Sequence, residues 1–176
     1  MNPRDRDCEP SQQGRDALEP VGSGAGPIEP PAAYPSETVA ALRVTDAAAN
    51  RAREALRVIE DYVRYVLDDR HLTALCKQLR HKLVAALEPL PNAQRIAARE
   101  TQHDVGTSLT TAGEQTRRGL CDVAAAAFCR LQEGLRSIEE FAKIVNREVG
   151  AAAKSLRYES YTIQRAIEIT GRTSQR

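Results

Sequence analysis

The chain has 176 residues, a formal net charge of +1, 41% hydrophobic residues, 4% aromatic residues and no Trp. Its charge is uneven, with three Arg against seven acids in residues 1–38 and 22 bases against 17 acids beyond. That excess is too mild and too interspersed for a duplex-binding surface, and no run reaches the ~18 apolar residues of a membrane span, so neither nucleic acid nor a membrane is an expected partner.

Seven of the nine prolines fall in residues 1–35 with Gly22, Gly24 and Gly26, so residues 1–38 are expected to be a disordered tail ahead of a helical domain at 39–176. The Gly22–Gly26 run has no strand before it and no helix close behind, and reads as linker, not phosphate loop. Ala, Leu, Glu, Arg and Gln dominate the rest and favour an all-α fold. Thr45 or Asp46 is the expected N-cap of a first helix running to about Leu67. Asp68 and Asp69 open a second helix, which Pro89 and Pro91 end near Glu88 by removing amide donors. A short segment at Gln94–Arg99 leads into a polar loop from Glu100 to Thr111. Thr111 with Glu114 matches a capping box for a long helical region to about Asn146, with a break near Gly119, and a last helix after Gly150 ends near Gly171. The N-terminus has no apolar signal core, and Cys8, Cys76, Cys121 and Cys129 form no C-x-x-C pair. A cytoplasmic protein with reduced, buried thiols is the expectation.

One helix occurs twice. Residues 51–66 and 130–145, at an offset of 79, share Arg51/Arg130, Glu54/Glu133, Leu56/Leu135, Arg57/Arg136, Ile59/Ile138, Glu60/Glu139 and Val66/Val145. Downstream, Lys77-Gln78-Leu79-Arg80-His81 returns as Lys154-Ser155-Leu156-Arg157-Tyr158 at an offset of 77. The repeated unit is therefore a helical hairpin, and two of them make a pseudo-twofold bundle. On a helical wheel Ala52, Ala55, Leu56, Ile59, Tyr62, Val63 and Val66 form one apolar arc, the expected core stripe.

Asn50, Glu54, Arg57 and Asp61 share another face. A solvated ladder of ion pairs explains such a stripe in an isolated helix. A solvent face needs charge but no particular residue, and the return of Glu-x-x-Arg at Glu133 and Arg136 raises the functional alternative to equal standing. Arg51, Glu60, Arg130 and Glu139 sit nearer the margins of the apolar arc, where side chains snorkel or line a cleft between helices. Arg suits phosphate, and carboxylates without neighbouring His or Cys suit Mg²⁺ better than zinc. A di-iron site needs Glu-x-x-His, where this chain has Arg57 and Arg136, and no Ser-His-Asp triad assembles from His71, His81 and His103, of which His81 alone lies in a repeated motif. Asp104-Val105-Gly106-Thr107 combines a carboxylate, a glycine and a hydroxyl, as ligand loops and ordinary helix connections both do.

Taken in order, the run from Asp46 to Asp61, Arg130 to Glu140, Asp104-Val105-Gly106-Thr107 and Leu156-Arg157-Tyr158 resembles the monofunctional, helical type of hydroxymethylpyrimidine phosphate kinase. That family occurs free-standing or fused ahead of thiamine phosphate synthase, and the resemblance covers about residues 42–168. The chain departs from the family pattern at Ala48, Glu100 and His103. The resemblance implies transfer of the γ-phosphoryl of ATP, with Mg²⁺, to hydroxymethylpyrimidine phosphate. It implies Arg57, Arg136 and Asp104 as catalytic residues and Asn50, Arg51, Glu54, Arg130, Glu133, Gly106 and Thr107 as substrate-binding residues, with metal ligands unassigned. Arg51, Arg57, Arg130 and Arg136 would clamp phosphate, while Glu54, Glu133 and Asp104 would hold metal or the pyrimidine amino group. The implied partners are a small-molecule substrate and either a second copy of the chain or thiamine phosphate synthase. Two other functions fit the same residues: a non-catalytic helical module docking on that synthase, and an enzyme acting on another small anion through an Arg-lined cleft.

Overall fold

A computed structural model describes residues 36–102, 104 and 116–174, with side chains to Gly171. Residues 1–35 of the tail expected at 1–38, with His103, Gly106, Thr107 and the Thr111–Glu114 capping box, lie outside the described residues, while 37 and 38 are already helical.

Five helices and no strand make up the described residues. The first, α1 (Glu37–Tyr65), starts earlier than expected because Ser36 Oγ accepts from the Val39 amide at 3.3 Å and Glu37 faces the positive end of the dipole. Thr45 and Asp46 are therefore not caps; both are buried in mid-helix. The turn after α1 passes through Asp68 at φ 51°, a left-handed conformation that Asp tolerates better than bulkier residues. Asp69, as expected, caps α2 (Arg70–Ala86), its Oδ1 accepting from the Leu72 amide at 2.8 Å. After α2 comes the short α3 (Asn92–Ala97), which lies against α1.

The long helix expected to end near Asn146 is α4 (Leu120–Val145). Asn146 alone separates it from α5 (Arg147–Ser174), because Asn146 Oδ1 accepts from the Glu148 and Val149 amides and starts the next helix at once. Gly150 thus lies inside α5 and does not precede it. A Cβ there would stand 2.9 Å from the Glu139 carbonyl oxygen, so this glycine is what lets α5 close against α4.

The core lies where α1 meets α4, with α2 and α5 packed on that pair and on each other. Leu56, Ile59 and Val63 bury beside Phe128, Leu131, Leu135 and Ile138, each large aliphatic contributing about 2 kcal/mol by leaving water. The two backbones approach at Gly134, where a Cβ would sit 3.0 Å from the Ala48 carbonyl oxygen and 3.3 Å from the Ala52 Cβ. All of the apolar arc of α1 is buried except Val66, 44% exposed at the C-cap beyond the last full turn. Between α2 and α5, Lys82 Nζ bonds Glu159 Oε1 at 2.7 Å. Those two positions are equivalent at the offset of 77, and a residue meets its own counterpart only at a twofold axis. The all-α bundle of two repeated hairpins is therefore observed. Of the described cysteines, Cys76 is buried as expected, but Cys121 and Cys129 are exposed; all three are free thiols. No described helix is long and apolar enough to cross a membrane.

Candidate functional site

Each hairpin folds its charged stripe over its second helix and forms a cleft between the two. In the first, Asn50, Arg53, Glu54 and Arg57 of α1 face Arg80 and Val84 of α2 around a space of about 290 Å³. The second sets Cys129, Gln132, Glu133, Arg136 and Ser137 of α4 against Arg157 and Tyr161 of α5 around about 480 Å³. Shifted by 79 on the first helix and 77 on the second, all six lining positions of the α1–α2 cleft land in the α4–α5 cleft. The repeat in the sequence is thus a repeat of a cavity.

One Arg lining each cleft is paired with a buried carboxylate. Glu60 and Glu139 are each 4% exposed, so at the margin of the apolar arc they turn inward, and each is matched by the Arg of the repeated downstream motif. Arg80 Nε donates to Glu60 Oε2 at 3.3 Å. Arg157 donates twice to Glu139 Oε2, from Nε at 3.1 Å and Nη2 at 2.8 Å. Burying a carboxylate without such a partner is costly, so both Arg are held in place by a structural demand while their outer edges face the cleft. Arg157 also donates to Tyr161 Oη at 3.2 Å and stacks on Tyr158 and Tyr161 at 5.0 and 5.9 Å from the ring centres. The Tyr161 bond first, and the Glu139 bonds second, hold its guanidinium pKa above the ordinary value.

The clefts differ at the position shared by Asn50 and Cys129. Asn50 Nδ2 donates to Asp46 Oδ2 at 3.4 Å, tying the first cleft to a further buried carboxylate. Asp46 is 3% exposed; Arg99 Nη2 lies 2.7 Å from its Oδ2 and Arg95 Nη1 lies 3.7 Å from its Oδ1. Burial lowers the Arg95 pKa, Asp46 opposes that shift, and the like charges of Arg53 and Arg99 add to it. In the second cleft Cys129 Sγ donates to Glu133 Oε1 at 3.2 Å, and that bond raises the thiol pKa, with burial adding to it. The residue equivalent to Asp46 there is Ala125, so only the first cleft carries this acid-centred cluster.

Of the residues singled out in the sequence, Asn50, Glu54 and Arg57 come together in the first cleft and Glu133 and Arg136 in the second. Arg51, Arg130 and Asp61 are exposed and line neither, and exposed Asp104 is also outside both linings. His71 and His81 are exposed as well. Sequence reasoning passed over Arg53, Arg80, Arg157, Tyr161 and Asp46 as site residues. Arg80 and Arg157 had a usable signal, since they recur in the second motif of the repeat; Asp46 had a misleading one, a capping residue type near an expected helix start.

The model of the ThiD2 family matches residues 43–166. Among curated relatives, a thiamine-phosphate synthase of Rhodopirellula baltica is 42% identical over 134 residues, covering 76% of this chain and 36% of the relative. One from Synechocystis is 42% identical over 125 residues, 71% of this chain and 35% of the relative, and one from Gloeobacter violaceus is 41% identical over 124 residues, 70% and 35%. The chain thus spans about a third of the length of these relatives. No solved structure matches. The chain belongs to the ThiD2 family.

Proposed function

From that membership we propose that the chain works in thiamine biosynthesis as a kinase, passing the γ-phosphoryl group of ATP to hydroxymethylpyrimidine phosphate to give the diphosphate. The names of its relatives support the pathway, and the clefts support the chemistry. The observation that carries the proposal is the grouping, in the first cleft, of the exposed Arg57 with Arg80, anchored on the buried Glu60, and one carboxylate, Glu54. Phosphoryl transfer to an acceptor that is already a phosphate anion needs positioning and charge neutralisation more than a strong general base. Guanidiniums fixed in a fork supply both.

Among the described residues no group of three His, Cys, Asp or Glu converges to hold a metal. The one carboxylate lining the first cleft, Glu54, fits Mg²⁺ that would arrive on the phosphates of ATP and keep most of its water, Glu54 supplying at most one ligand. Bound, Mg²⁺ would neutralise charge on the transferring phosphates.

The test is ADP release with Mg-ATP and hydroxymethylpyrimidine phosphate, run beside unphosphorylated hydroxymethylpyrimidine. Release with the phosphate form and little with the other supports the kinase; no release with the phosphate form overturns it. A second function, a non-catalytic module docking on a thiamine phosphate synthase, is favoured by the third-length coverage of the relatives. It predicts no ADP release and co-elution with such a synthase.

A further inference from the structure

The two clefts share their lining positions but not their charge, and we infer that the α1–α2 cleft alone is an oligophosphate site. In linking that oligophosphate to ATP the inference rests on the kinase proposal; as an anion site it stands on geometry.

In the α1–α2 cleft, Arg53 and Arg57 are exposed and have no ion-pair partner among the described residues. Arg80 lines the cleft and commits only its Nε to Glu60, which leaves its terminal nitrogens without an ion pair among the described residues. Arg95 and Arg99 stand close by on Asp46, and Arg53 already presses on Arg95 as a like charge. Five guanidiniums therefore share one side of the bundle with three carboxylates, Asp46, Glu54 and Glu60. An excess of unpaired cations around a concave surface lowers its energy by binding a multivalent anion.

The α4–α5 cleft has lost that excess. Gln132 stands where Arg53 does, and Arg136 is taken up by Glu139 at 3.4 Å and Glu140 at 2.9 Å. Arg157 spends both its Nε and Nη2 on Glu139 and its Nη1 on Tyr161. Two guanidiniums and Lys143, which bonds Glu140 at 2.8 Å, meet three carboxylates there, Glu133, Glu139 and Glu140, so no cation is in excess and a polyanion entering would have to break existing pairs.

Inorganic triphosphate is the probe, titrated calorimetrically into the full chain at low and at physiological ionic strength. One equivalent should bind, more weakly at the higher salt. Arg53→Gln and Arg57→Gln should each weaken binding at least about tenfold, and Arg136→Gln, the equivalent change in the other cleft, should leave it within about twofold. All three side chains are exposed, and an unchanged circular dichroism spectrum will show that the fold is kept. Absence of binding, two equivalents bound, or an equal loss in Arg136→Gln would overturn the inference. Failure of ADP release with the Arg57 pattern intact removes the kinase and leaves the anion site. ADP release without that pattern removes the site and leaves the kinase.

Discussion

The first hairpin turns slowly, through Val66, Leu67, Asp68 and Asp69, while the second turns on Asn146 alone. That shorter turn is why the repeat offset drops from 79 on the first helices to 77 on the second. It also brings α5 against α4 at Gly150, whose counterpart in α2 is Thr73, a residue too large for such an approach. The tighter hairpin holds its Glu–Arg pair by two bonds with the Arg side chain 12% exposed, and the looser one by a single bond with the Arg 22% exposed. Tightness and free charge thus go in opposite directions: the second copy satisfies its charges internally, and the first leaves Arg53 and Arg57 for something else.

The largest stability effects should fall on the shared pair and be unequal. Glu139→Ala strands Arg157 and should cost about 3 kcal/mol, whereas Glu60→Ala, which frees a more exposed Arg80, should cost about 2 kcal/mol, both read from urea midpoints. Equal losses would show that the two hairpins hold the pair alike. Next, Gly150→Ala should lose about 1 kcal/mol, since the added methyl meets a backbone oxygen and the clash exceeds the gain in helix propensity. A stabilised variant would mean that α4 and α5 separate at no cost.

An alkaline effect belongs to the first hairpin. Burial, with Glu60 adding to it, pushes the Cys76 thiol from 9.0 up to about 12, and the equivalent position in α5 is Ala153. A group whose pKa rises on folding contributes stability that is complete below its unfolded value and is lost as pH climbs to the folded one. Stability should therefore fall between pH 9 and about 12, and Cys76→Ala should flatten part of that fall. Only part is expected, because burial, with a hydrogen bond to Cys121 adding to it, raises Tyr62 from 10.0 to about 12 over an overlapping window. An unchanged slope in Cys76→Ala would place the thiol outside the titration. The smallest effect concerns Cys129, whose bond to Glu133 disfavours the thiolate. Glu133→Gln should speed its alkylation at mildly alkaline pH by a few-fold, as scored by mass spectrometry at that residue. No change in rate would show that Glu133 does not govern the thiol.

The bundle, the core stripe of α1 and the Asp69 cap were legible because each depends on spacing within one helix. The start of α1 was not: Thr45 and Asp46 are capping residue types, and what satisfies Asp46 buried in mid-helix is a pair of Arg some fifty residues on, at 95 and 99. Gly150 looked like the residue preceding the last helix because its role, close approach to the Glu139 carbonyl, is played across the hairpin. For the candidate site, the return of Glu-x-x-Arg marked half of each cleft. The other half, Arg80 and Arg157, stood in the second repeated motif, but nothing local in the sequence shows that a buried Glu on one helix holds an Arg on the next. Nor could spacing show that Arg136 is paired and Arg57 is not: Arg136 reaches Glu139, whose counterpart Glu60 is identical, and Glu140, where α1 has the shorter Asp61.

The most direct measurement is the rate of ADP release from Mg-ATP and hydroxymethylpyrimidine phosphate by the full chain and its Arg57→Ala variant. Arg57 is exposed and unpaired among the described residues, so its loss should leave the unfolding midpoint where it is. Turnover by the unaltered chain and a fall in kcat/KM of about a hundredfold in the variant are the expected results. Full activity in Arg57→Ala, or no turnover by the unaltered chain, would contradict the assignment of phosphoryl transfer to the first cleft.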